Sequence, residues 1–288
     1  MNRVSTRARW GLGSLPLLLF YVAFFLLPQL YFLRLSLYRT DTVGQQLGAP
    51  GFQTIAKVLS SDFYRDAIVS TIALCVLTML FTLVLAYPIA YSCVRSRTWG
   101  RFIFICVVAS MFSSAVARVL GWRVLLAIDG PVNRLLQLIG LVNQPVQLTG
   151  NFYGVLIGTV HAMLPIAAIG LMPVCEAVSR EQLEAATGLG SSSWRTFRTV
   201  FLPQTWTGLV SIGLLVFAVT AGAFTTPALL GGGRVAILAI LIYTAASQSL
   251  DYSVAAALSL VLFALVGGAV LLGLVVGRSR SGPKVGST

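Results

Sequence analysis

The chain has 288 residues, 57% of them hydrophobic and only 10% charged, whereas an ordinary soluble domain carries about a quarter charged residues. That composition excludes a disordered chain and argues for one polytopic membrane domain. The net charge of +12 does not read as nucleic-acid binding, because the 20 Lys and Arg sit in the gaps between apolar runs and form no patch with interleaved aromatics.

The chain opens with Arg3, Arg7 and Arg9. The uncharged run that follows, residues 10–33, is long, contains Pro16 and Pro28, and has no small-residue cleavage site after it. It reads as a retained first span, not a cleaved leader. Further runs without Asp, Glu, Lys or Arg cover 67–94, 135–175, 199–233 and 252–277, and two shorter ones cover 102–117 and 235–250. A crossing helix needs about 20 apolar residues. Arg278, Arg280 and Lys284 at the far end, with the basic start, place both tails on the cytoplasmic side and require an even number of crossings.

Six spans follow if one of the two short runs crosses. Charge counting leaves the choice tied, at 12 cytoplasmic positives against 8 outside for 102–117 and 13 against 7 for 235–250. The first is denser in Phe, Ile, Val and Met, with Arg118 at its exit where it can snorkel, and the second carries Ser247 and Gln248. The expected spans are therefore 11–34, 67–94, 102–121, 151–174, 206–228 and 252–277. The expected organisation is a cytoplasmic tail 1–10, a six-span domain 11–277 and a cytoplasmic tail 278–288.

Catalytic and metal chemistry find little support. The four cysteines, Cys75, Cys93, Cys106 and Cys175, lie within or at the ends of apolar runs with no metal or redox spacing. There is one histidine, and the eight acids are scattered. No catalytic residue, metal or cofactor is expected.

Within the fourth span, His161 is an ionisable residue in the membrane and so a candidate pathway group, although a neutral imidazole bonded to a neighbouring helix also explains it. Arg118 and Trp122 fit either an interfacial anchor pair or a substrate contact. Tyr91, Trp122, Phe224 and Tyr243 offer aromatic faces to a cation. Asp129 and Asp251 fit solvated loop acids or a cation-attracting mouth. Pro88 and Pro165 are candidate kinks.

The cytoplasmic loop 175–205 has the most local structure. Ser179 with Gln182 forms a capping box that starts a helix near Arg180, and Gly188 and Gly190 are placed to end it. Ser191 to Ser193 cap a second helix, on which Trp194, Phe197 and Phe201 share a face. Leu202-Pro203 is expected to end that helix before the next span.

Glu184-Ala185-Ala186, three residues, Gly190, nine residues and Val200-x-Leu202-Pro203 resemble the EAA signature of the membrane subunits of binding-protein-dependent ABC importers. Arg118-Val-Leu-Gly-Trp122 with Gly130-Pro-Val-Asn133, and Gly222-Ala-Phe-Thr-Thr-Pro227-Ala-Leu-Leu-Gly231, are similar to segments of the spermidine/putrescine-type branch. The resemblance spans about residues 10–278. It implies an all-α, six-helix type I importer permease in a bacterial inner membrane. It also implies an ATPase-coupling helix carried by Glu184, Ala185, Ala186, Gly190, Leu202 and Pro203; the residues read by themselves add a candidate substrate pathway near Arg118, Trp122, His161, Phe224 and Tyr243.

The sequence has no G-x-x-x-x-G-K-[ST] phosphate loop. The implied partners are a cytoplasmic ATP-binding subunit dimer, a second permease (identical or related), an extracytoplasmic solute-binding protein and membrane lipid. The implied solute is polyamine-like, with an opine, aminoethylphosphonate or ferric iron as alternatives in related branches. A gradient-driven secondary transporter is the rival class; it calls for membrane-embedded acids and an internal repeat, neither of which is seen.

Overall fold

The computed structural model describes residues 16–40, 46–47, 50–96 and 99–279. Arg3, Arg7, Arg9, Arg97, Arg280 and Lys284, on which the charge argument leaned, lie outside the described residues. The chain divides into two units, one drawn from Met1–Arg65 and Leu241–Val261 and the other from Asp66–Ile240 and Leu262–Thr288.

In the first unit, α1 (Pro16–Ser36) is apolar on all sides, and nearly all of it is exposed. Such a helix is stable where hydrocarbon is the solvent. Its Phe20 and Phe24 rings stack at 4.6 Å, and Tyr21 and Phe25 at 4.9 Å. A two-residue antiparallel pair, Arg39–Thr40 with Gln46–Leu47, follows, and then α2 (Gln53–Ser60). Ser253 Oγ donates to the Leu35 carbonyl (3.1 Å), which ties the last helix of the chain to the end of α1. Asp251 caps that last helix by accepting from the Val254 amide (3.1 Å). This gives Asp251 a structural role that loop reasoning missed.

The second unit takes most of α3 (Asp62–Arg95), then α4 (Trp99–Met111), α5 (Ala115–Leu125) and α6 (Pro131–Leu138). After these come α7 (Phe152–Glu176), α8 (Arg180–Gly188), α9 (Ser193–Ala221) and α10 (Thr225–Leu230). The start of α11 (Leu238–Ser247) and the end of α12 (Tyr252–Ser279) complete it. Helix α3 has 34 residues, about 51 Å at the usual rise and well beyond a hydrocarbon core of about 30 Å. It begins before the expected position 67 because Asp62 and Asp66 sit in its first turns, where the helix dipole favours acids.

Helix α7 is the centre of this unit. Its Met163, Ala167, Ala168, Leu171 and Cys175 pack with Ala86, Tyr87 and Ala90 of α3 and with Phe201 and Val216 of α9. Nearer its start, Val155, Leu156 and Val160 meet Leu74, Val119, Leu230, Val235 and Ile237. Small residues allow these approaches: a Cβ on Gly208 would lie 2.4 Å from Val174, and one on Gly170 2.7 Å from Ile212. Thr71 Oγ1 donates to the Ala67 carbonyl and accepts from the Leu238 amide at 2.9 Å, seating the start of α11 on α3. Buried Asn133 bonds the carbonyls of Ala127 and Val146 and the Val146 amide, so the G-x-x-N segment is a staple for its own loop.

Three expectations are corrected. The span 102–121 is not one straight helix: α4 and α5 meet at a 100° bend across 112–114. Five helices among the described residues are long and apolar enough to cross a membrane, and six only if this bent pair counts as one. The span 206–228 is displaced, because α9 starts at Ser193 and ends at Ala221, with 225–230 forming the separate α10. Leu202-Pro203 does not end a helix. The backbone passes through a wide π-type turn at Phe197–Phe201 and continues, and that turn precedes the proline, which has no amide to give. Residues 235–250 hold only the ten-residue α11, about 15 Å long and half of a crossing.

The α7–α9 approach gives a direct test. Gly208→Leu is expected to lower the apparent melting temperature in detergent by the equivalent of about 1–3 kcal/mol, the usual cost of overpacking. Gly267→Leu, where a Cβ meets nothing within 4 Å, is expected to leave it unchanged.

Candidate functional site

The loop from the end of α7 to α9 folds on local signals. Ser179 Oγ accepts from the Gln182 amide (3.3 Å) at the start of α8, as the capping pattern requires. At the other end, the amides of Gly190 and Ser191 reach back to the carbonyls of Thr187 (2.9 Å) and Ala186 (3.1 Å), the Schellman closure. Gly190 sits at φ +83° and is the residue this closure depends on; Gly188 keeps a helical conformation. Ser192 Oγ then accepts from the Arg195 amide to cap α9.

Helix α8 buries none of its residues. Glu184 and Ala185 are exposed and Ala186 is half-buried. Leu189 is 90% exposed and Trp194 70%. An apolar pair left open beside a row of small residues is a surface awaiting a partner. Leu202 packs at the edge of the α7 core, while Pro203 is exposed.

Beneath the exposed side runs an aromatic ladder. Trp194 stacks on Phe197 at 5.6 Å, and Phe197 on Phe201 at 5.9 Å. Tyr87 and Tyr91, one turn apart on α3, meet Phe201 edge-on at 6.0 and 5.1 Å. The hydroxyls of Tyr87 and Thr205 are hydrogen-bonded at 2.6 Å in a buried position. Arg95 donates to the carbonyls of Val178 (2.6 Å) and Cys175 (3.4 Å), and its guanidinium lies 5.7 Å from the Phe201 ring centroid. A cavity of about 140 Å³ remains between Tyr91, Leu183, Thr187, Phe197 and Phe201.

Sequence reasoning missed Tyr87, Arg95 and Thr205, and named Tyr91 only as an aromatic face for a cation. The available signal was the spacing 87, 91, 95 on one helical face, opposite 197 and 201 on another.

The second set of candidates is partly assembled. Trp122 of α5 and His161 of α7 meet edge-on at 5.5 Å. Arg118 lies one turn before Trp122, and its Nε and the Nδ1 of His161 are both buried without a hydrogen-bond partner. His161 also lines a cavity of about 310 Å³ with Phe102, Cys106, Ser110, Leu164 and Pro165. Phe224 lies at the turn between α9 and α10, and Tyr243 belongs to the other unit. Among the described residues no group of His, Cys, Asp and Glu is placed to hold a metal ion.

Gly190→Ala is expected to destabilise the α8 closure by about 1–2 kcal/mol, which corresponds to roughly 5- to 30-fold faster hydrogen exchange at the Ser191 amide. Gly190→Asn, which tolerates the left-handed conformation, is expected to lose less.

No family model matches the sequence. The spermidine/putrescine transport system permease protein PotB of Haemophilus influenzae is 26% identical over 181 residues, 62% of this chain and 63% of that protein. The PotB of Salmonella typhimurium is 25% identical over 252 residues, 87% of this chain and 88% of that protein. The molybdenum transport system permease protein ModB of Azotobacter vinelandii is 32% identical over 174 residues, 60% of this chain and 75% of that protein. Among solved structures, a chain of a bacterial alginate ABC transporter, in complex with an alginate pentasaccharide-bound periplasmic protein, matches with a TM-score of 0.77 at 17% identity, covering 99% of this chain and all of that one. With its apolar helices and capped, exposed α8, the chain belongs to the type I permease subunits of binding-protein-dependent ABC importers; it is a PotB-like, multi-pass transport subunit and not itself an enzyme.

Proposed function

We propose that α8 is the coupling helix through which a cytoplasmic ATPase drives this permease. The observation that carries the reading is an exposed helix with Glu184, Ala185 and Ala186, closed by Gly190 and followed by α9, which runs unbroken through Leu202-Pro203 into a membrane span. Small side chains let a partner groove approach closely, and Glu184 offers a carboxylate for a charge-assisted hydrogen bond. Closure of the ATPase pair pushes α8, and the aromatic ladder passes that motion to α3, α7 and α9. In this reading α8 and both termini face the cytoplasm of a bacterium with an inner membrane. A second permease completes the pathway, and an extracytoplasmic binding protein selects the solute. Family membership sets aside a gradient-driven carrier.

A polyamine-like solute is the first reading, supported by the PotB relatives. The second is an oxyanion, favoured by the buried, unpartnered Arg118 Nε and His161 Nδ1 and supported by the ModB relative. Between residues 67 and 175 the only acid is Asp129, in the exposed turn before α6, so the interior of these spans gives a polycation no carboxylate partner.

Glu184→Lys is expected to abolish ATP-coupled uptake while membrane insertion is retained, and a cysteine at Ala186 is expected to crosslink to the co-purifying ATPase. Normal uptake in the variant, or labelling of residue 186 only from outside, rejects the coupling role. Uptake of radiolabelled spermidine and of molybdate by the whole transporter in vesicles separates the two solutes. If Arg118→Gln abolishes molybdate uptake without changing assembly, the oxyanion reading stands; spermidine uptake that survives in the same variant supports the polyamine reading.

A further inference from the structure

A basic cavity of about 610 Å³ lies at the membrane face that carries α8, away from the exposed side of that helix. It is lined by Cys93, Val94, Arg95 and Ser96 at the end of α3, Gly100, Arg101 and Phe104 at the start of α4, Met172 of α7 and Arg180 at the start of α8. Gly100 lets α4 begin directly against the end of α3, since a Cβ there would fall 2.5 Å from the Cys93 carbonyl.

Three arginines therefore line one space. None has a carboxylate within ion-pair distance, the Asp62–Arg65 pair being the only one among the described residues. Glu181 follows Arg180 in sequence and Glu176 lies between Met172 and Arg180, but neither lines the cavity. Arg95 spends one nitrogen on the carbonyls of Cys175 and Val178, and its Nε is buried without a partner. The first turns of α4 and α8 add the positive ends of two helix dipoles.

The other wall is apolar, made by Val94, Phe104 and Met172. Beside it α4 exposes Phe102 and Ile105, and Trp99 is 69% exposed at the level where aromatic residues border a bilayer. Convergent cations over an apolar wall, at the boundary of membrane spans, match a phosphodiester headgroup with its acyl chains laid along a helix.

We propose that this cavity binds the headgroup of an anionic phospholipid from the leaflet on the α8 side. Because Arg95 also holds the end of α7 and the Phe201 ring, a bound lipid steadies the platform on which α8 rests. The proposal depends on these helices being membrane spans and not on the coupling role of α8, so its test reads lipid retention and not uptake.

The transporter, purified with its co-purifying subunits in mild detergent, is exposed to equal amounts of phosphatidylglycerol and phosphatidylcholine and examined by native mass spectrometry. The wild type is expected to retain phosphatidylglycerol preferentially. The double variant Arg101→Gln with Arg180→Gln is expected to lose about thirty-fold of that preference, roughly five-fold for each cation near the surface, while the two Arg→Lys changes keep most of it. Arg101→Gln alone repeats the test if the double variant fails to assemble. Equal retention of both lipids by the wild type, or an undiminished preference in the Gln variants, overturns the proposal. Displacement of the lipid by millimolar inorganic phosphate assigns the cavity to a soluble phosphate and also overturns it.

Discussion

Arg95 stands at the last position of α3 and donates to the carbonyls of Cys175 and Val178, just where α7 runs out of partners of its own. The last carbonyls of any helix are left unsatisfied by the helix itself, and a cation placed there also complements the dipole. The same guanidinium lies over Phe201 of α9. Three spans are joined at one point, and the loop carrying α8 leaves and re-enters the membrane domain on either side of it. Both ends of that loop are therefore fixed to helices, and α8 between them is free to present its surface.

The division of surface follows from this. Inside the loop, Phe197 packs edge-on against Tyr87, and the buried Phe201 against Tyr91. Outside it, Leu189 and Trp194 stand almost fully open. A helix that buries nothing of its own owes its shape to its caps, which is why Ser179 and the left-handed Gly190 matter more here than packing. In the proposed coupling role, a push on such a helix passes to the aromatic ladder behind it, which is continuous with a span.

Polar groups within the spans fall into two kinds. Tyr87 with Thr205, and Thr71 with the Leu238 amide, are satisfied and hold helices at fixed distances. Arg118 Nε and His161 Nδ1 are buried and unsatisfied, an expensive arrangement in an apolar medium unless something else pairs with them. The first kind reads as architecture. The second, beside Trp122 and a cavity, is what the proposed oxyanion reading rests on.

Much of this protein was written in its local sequence. The apolar runs determined that the chain is helical and membrane-spanning, because hydrocarbon admits little else. Ser179 and Gly190 determined where α8 starts and stops, since caps act within a turn of themselves. The spacing from Glu184 to Pro203 identified the loop before any fold was seen. Tertiary structure decided the rest. It bent 102–121 at Ser114, which no charge count detects, and carried α9 unbroken through Pro203 by widening one turn. It brought Arg95 to α7 and Trp122 to His161 across gaps of 80 and 39 positions in the chain. Periodicity tells which face of a helix is apolar but not which helix it will meet, and those pairings depend on the packing of whole spans.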